Sequence, residues 1–77
     1  MPRYFFNVHD DTDYPDQLGE ELPDVAAAWK EGALVAAEMI RDHLRRLQPG
    51  QEWRLEISDQ SGALLYVISL NIERAAR

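Results

Sequence analysis

The sequence predicts an α+β fold in which a small antiparallel sheet of three to four strands carries one long helix on one face. Three observations predict it. Apolar and polar residues alternate at Arg3–His9 and again at Glu52–Ile57; an Ala-rich stretch of helical period lies between them; and the turn signal Asp59-Gln60-Ser61-Gly62 folds the last apolar stretch back onto the one before. With 77 residues the chain makes one domain, 1–77. A chain of that size buries only about 60% of the surface its unfolded form exposes, so its core is thin.

Each element follows from local chemistry. In Arg3–His9, Tyr4, Phe6 and Val8 fall on one side and Arg3, Phe5, Asn7 and His9 on the other, the two-residue period of a strand. Asp10–Asp16 is an acidic loop closed by Tyr14-Pro15-Asp16, and Gln17–Leu22 is expected to return as a short second strand. Leu22-Pro23-Asp24 marks a helix start, because the Asp24 carboxylate accepts from the first unpaired N–H groups and suits the positive end of the helix dipole. The helix is predicted from Val25 to Gln48, where Pro49-Gly50 stops it.

At about 100° per residue, Val25, Trp29, Gly32, Ala33, Ala36, Ile40, His43, Leu44 and Leu47 share the inner face. Lys30, Glu31, Glu38, Arg41, Asp42 and Arg45 share the outer one, with Leu34 as its apolar exception. Gly32 and the alanines keep the inner face thin, which permits close approach to a sheet. Trp53, Leu55 and Ile57 alternate with Glu52, Arg54 and Glu56 as a half-buried strand. Asp59 and Gly62 fit a type I turn completed by a left-handed glycine, leading into a final strand over Ala63–Ile72. The element order is thus β-β-α-β-β. A right-handed crossover through the helix places the first strand between the second and third, giving sheet order 2-1-3-4 with all neighbours antiparallel.

Composition narrows the functional classes. The absence of cysteine excludes disulfides and thiolate zinc sites. A net charge of −6 argues against direct contact with nucleic acid or anionic membranes. Arg41, Arg45 and Arg46 read as cations at the negative end of the helix. The longest apolar run, Ala63–Ile68, is strand-sized, and Met1-Pro2-Arg3-Tyr4 enters a strand with no leader pattern, so a cytoplasmic location is expected.

No catalytic, cofactor or metal site is expected. Asp10, Asp11, Asp13 and Asp16 suggest a calcium loop ending on Glu21, yet Pro15 stands where glycine is needed and Tyr14 where an oxygen ligand is needed. A solvated acidic turn fits better. His9 reads as a strand-end histidine beside Asp10. His43 reads as a structural histidine that needs a partner such as Tyr4, Tyr66 or a sheet-edge carbonyl. Ser58 and Ser61 flank a turn and Ser69 lies inside a strand, and the chain has no G-x-S-x-G, phosphate loop or dinucleotide motif, so no enzyme is expected. Trp29 and Trp53 read as core aromatics rather than stacking platforms.

The opening Pro2-Arg3-Tyr4-Phe5-Phe6-Asn7-Val8-His9-Asp10, the helix start Gly19-x-Glu21-Leu22-Pro23-Asp24 and the hairpin Asp59-x-x-Gly62 resemble a family of short proteobacterial proteins, a domain of unknown function. That family has no activity to carry over, and its usual opening has His where this chain has Asn7. The resemblance implies a stand-alone cytoplasmic domain. Over its first half, the aromatic strand, Leu-Pro-Asp element and Ala-rich helix also resemble antitoxins of the HicB type. That likeness implies, as the alternative, an antitoxin or small regulatory subunit neutralising a basic partner.

The residue-level expectation is a protein-protein interaction module, a homodimer or a complex with another protein. One helix covers only one sheet face, and the last strand is an edge without charged blockers. A three-residue loop with a glycine bulge sends Leu65 and Val67 to the covered face and leaves Leu64, Tyr66, Ile68 and Leu70 outside. A four-residue loop exchanges the faces and puts Leu65 and Val67 on the same outer face as Phe5. Phe5, Leu64, Leu65, Tyr66, Val67, Ile68 and Leu70 are therefore the candidate interface residues.

Overall fold

The computed structural model describes residues 1–10, 13–43 and 46–75. The expectations placed on Asp11, the His43 side chain, Leu44 and Arg45 lie outside the described residues. The elements are β1 (Arg3–His9), β2 (Asp13–Tyr14), β3 (Glu20–Glu21), α1 (Val25–His43), β4 (Glu52–Asp59) and β5 (Leu64–Asn71). The sheet is antiparallel with order β2-β1-β4-β5, and β3 pairs the other half of the β1 edge that β2 occupies. The predicted order 2-1-3-4 is observed as β3-β1-β4-β5, but β3 covers only Glu20–Glu21 of the expected Gln17–Leu22 strand, and β2 is a further short strand inside Asp10–Asp16, the stretch expected to be a loop.

Asp16 holds the segment that joins β2 and β3. The chain detours between β2 and β3, and there the Asp16 side chain substitutes for ladder bonds: its Oδ2 accepts from Phe6 N at 3.2 Å, and its Oδ1 accepts from Leu18 N at 3.2 Å and Gly19 N at 3.0 Å. Asp16 N in turn donates to Asn7 Oδ1 at 2.8 Å. Gly19 closes the detour at φ +70, where any Cβ would also press on Arg3 Cγ at 2.8 Å and Phe5 Cε1 at 2.9 Å. Both conformation and space therefore require glycine.

The pairings Phe6↔Ile57 and Val8↔Leu55 put Tyr4, Phe6 and Val8 on the same side as Trp53, Leu55 and Ile57, as the alternation predicts. These residues and α1 form the core. Asp24 caps the helix as expected, its Oδ1 accepting from Ala27 N at 2.8 Å.

The helix differs from expectation in length and rotation. The element spans Val25–His43, and Leu47 and Gln48, expected in its last turn, lie outside it. Gln48–Gln51 form a turn instead, with Gln51 N donating to Gln48 O at 3.0 Å and Gly50 N donating to Ile72 O at 2.8 Å. The covered face takes in Ala28, Gly32, Val35, Ala36, Met39 and Ile40, so Gly32, Ala36 and Ile40 lie on it as predicted while its centre is turned by about 50° towards Ala28 and Val35 at 3.6 residues per turn. Trp29, expected in the core, is 43% exposed, whereas Trp53 is 2% exposed as expected. The cause is steric: the helix lands on its smallest residues, Ala28 and Gly32, directly over Ile57, and the indole is left on the flank against Tyr66 with ring centroids 5.2 Å apart.

The hairpin combines the two anticipated registers. Asp59 N donates to Ala63 O at 3.0 Å and Gly62 sits at φ +88, so the loop has three residues. A bulge then adds Leu65 between the pairs Ser58↔Leu64 and Ile57↔Tyr66. That extra residue exchanges the faces for the rest of the strand. Tyr66, Ile68 and Leu70 stand opposite Ile57, Leu55 and Trp53 on the helix side, and Val67 lies opposite Glu56 on the other.

Candidate functional site

Two surfaces carry distinctive chemistry. The first surrounds β5. Of the candidate interface residues, Leu65, Ile68 and Leu70 pack against the core and Phe5 is half-buried, leaving Leu64, Tyr66 and Val67 exposed. Val25 and Trp29 extend this apolar surface along the adjoining flank of α1. Among the described residues β5 pairs only with β4, so its far edge presents unpaired backbone over Leu64–Asn71, eight residues without a charge. The sheet face away from the helix, expected to be an apolar surface in need of cover, is mostly polar over β1 and β4, where Asn7, His9, Arg54, Glu56 and Ser58 project beside the half-buried Phe5. The uncovered apolar surface belongs to the β5 edge and the helix flank.

The second surface is an ionic chain across β2, β1 and β4. His9 Nδ1 lies 2.7 Å from Asp13 Oδ1 and His9 Nε2 lies 2.7 Å from Glu56 Oε1. Arg54, paired with His9 across β1 and β4, has Nη1 3.4 Å from Glu52 Oε1 and a buried Nε 3.3 Å from Glu56 Oε2, the latter without hydrogen-bond alignment. The hydrogen bond to Asp13, joined by the bond to Glu56 and the charges of both carboxylates, raises the His9 pKa above its usual value, and together these outweigh desolvation. The sequence places His9 at the end of a strand, as found, but Glu56 is 47 positions away and only the β1–β4 register brings it close.

An open recess of about 570 Å³ borders this chain, lined by His9, Asp10, Asp13, Gly50, Gln51, Glu52 and Arg54. Both ring nitrogens of His9 face carboxylates, so neither is presented to the recess as a base. Among the described residues no group of three or more His, Cys, Asp or Glu is arranged to hold a metal ion, and no helix is long and apolar enough to cross a membrane.

Comparison with curated proteins and with solved structures finds no match in either. A family model does match, over residues 3–71, a span that takes in the β1 motif, the helix start and the hairpin. The chain therefore belongs to that family, described as a domain of unknown function (DUF6894).

Proposed function

We propose that the chain is a non-enzymatic protein-protein interaction module that forms a homodimer by joining the β5 strands of two copies. The observation that carries this reading is the uncharged, unpaired β5 edge lying beside the exposed Trp29–Tyr66 pair. Soluble proteins protect such an edge with lysine, proline or a covering element. Here the bulge at Leu65 interrupts only one end of it. Antiparallel pairing centred on Ile68 sets Tyr66 opposite Leu70 of a second copy and Ile68 opposite itself on the helix side, all apolar contacts. A strip free of charge also suits two chains that each carry −6 and repel elsewhere.

Light scattering coupled to size exclusion tests the reading at micromolar concentration. The expected mass is twice 8.9 kDa, falling to the monomer in Tyr66→Lys, whose ammonium would face the apolar helix-side contacts of the shared edge. A monomeric mass in the parent chain, unchanged by the lysine, would sink the homodimer.

A further inference from the structure

Away from β5, the contacts of His9 have a consequence of their own. A carboxylate only accepts hydrogen bonds, and a neutral imidazole has one N–H to give. With Asp13 Oδ1 and Glu56 Oε1 both at 2.7 Å, the two contacts are hydrogen bonds together only when both ring nitrogens carry protons. Loss of one proton sets a nitrogen lone pair against a carboxylate oxygen, and one contact must open. The partners are unequal. Glu56 has a 26% exposed side chain, lies inside β4 with strands on both sides and has Arg54 beside it; Asp13 is 74% exposed and belongs to a strand of two residues.

We propose that His9 is a proton-dependent latch that fastens β2 to the sheet when the imidazole is charged and frees Asp13 when it is neutral. The surroundings favour the closed state. Asp13 faces the ring from β2 and Glu56 from β4; Asp10 follows it in the chain, and Glu52 and Arg54 of β4 line the same recess. Four carboxylates thus surround the ring against a single guanidinium, itself engaged by Glu52 and Glu56. The latch contributes fully below the ordinary imidazole value of 6.5 and is lost as pH rises through the raised value in the folded chain. Opening bares the β1 edge at Val8–His9, the positions that β2 covers.

This device is independent of association through β5. Its test is amide hydrogen exchange in β2, corrected for base catalysis, alongside an NMR titration of the His9 ring between about pH 5 and pH 9. Protection in β2 is expected to fall severalfold with the midpoint of the His9 titration, while the β4 amides stay protected. In Asp13→Asn, which alters an exposed side chain, and in His9→Gln, that pH dependence is expected to vanish. Protection in β2 that is flat across the titration, or a dependence that survives both substitutions, would overturn the latch.

Discussion

Gly32→Ala places a methyl group where α1 meets the sheet. Its Cβ would run into Ile57 Cδ1, with Ile57 Cγ1 at 3.1 Å and Phe6 Cε1 at 3.5 Å. Ile57 is 0% exposed, so its side chain can give way only within the packed interior. Overpacking of this kind costs about 1–3 kcal/mol, against a helix-propensity gain of about 1 kcal/mol for Gly→Ala. The net expectation is a loss of roughly 0–2 kcal/mol, larger for Gly32→Val, which adds two more methyls and a β-branch. Ile57→Val alone costs about 0.5–1.5 kcal/mol but removes the clashing Cδ1. The double variant should therefore be more stable than the two single losses imply, by about 1 kcal/mol of coupling. Urea denaturation followed through Trp53, with protein concentration fixed so that association does not intrude, measures all four corners. A Gly32→Ala chain more stable by the full propensity gain, with no coupling to Ile57, would refute the close docking of helix on sheet.

Three further outcomes follow from named contacts. In protein dilute enough to be monomeric, acrylamide is expected to quench Trp29 readily and Trp53 poorly, so Trp29→Phe should leave a chain with weakly quenched fluorescence; equal quenching of both indoles in the monomer would contradict the helix rotation. Asp16→Ala, which strips the acceptor from Phe6, Leu18 and Gly19 N–H, is expected to cost about 1–3 kcal/mol in the same urea assay, and a neutral result would mean that the β2–β3 detour is held otherwise. Hydrogen bonds from Ser61 Oγ and then from the Ala63, Ser61 and Gly62 amides hold the Asp59 pKa below 3.8, outweighing desolvation, so its stabilisation is present above that value and is lost as pH falls through the lowered one; Asp59→Asn should flatten that part of the acid limb of a Tm-against-pH curve.

What the sequence made legible divides by the range of the interactions involved. Strand alternation, the Asp24 cap and the Asp59–Gly62 turn are local, and β1, β4, the helix start and the hairpin were readable from neighbouring residues, whereas the loop length, three residues or four, was not. The helix rotation was not, because a hydrophobic arc marks which side is apolar and not which line within it touches the sheet. Closest approach selects the smallest side chains, Ala28 and Gly32, and so displaces Trp29 from the centre of the apolar arc to its rim.

The same step explains where the candidate interface lies. The apolar arc of α1 is wider than the strip of sheet beneath it, and its surplus, Val25 and Trp29, borders the strand whose outer edge is unpaired. The Leu65 bulge, invisible to a reading that allows one register per loop, turns Ile68 and Leu70 into the core while leaving Tyr66 against the indole. The surplus on the helix and the unpaired strand thus meet in one continuous surface, and a partner that adds a strand to β5 also reaches Trp29. Association through β5 should therefore shield Trp29 along with the backbone, so its quenching should rise with dilution across the dimer dissociation range. An indole equally exposed in dimer and monomer would place the contact elsewhere.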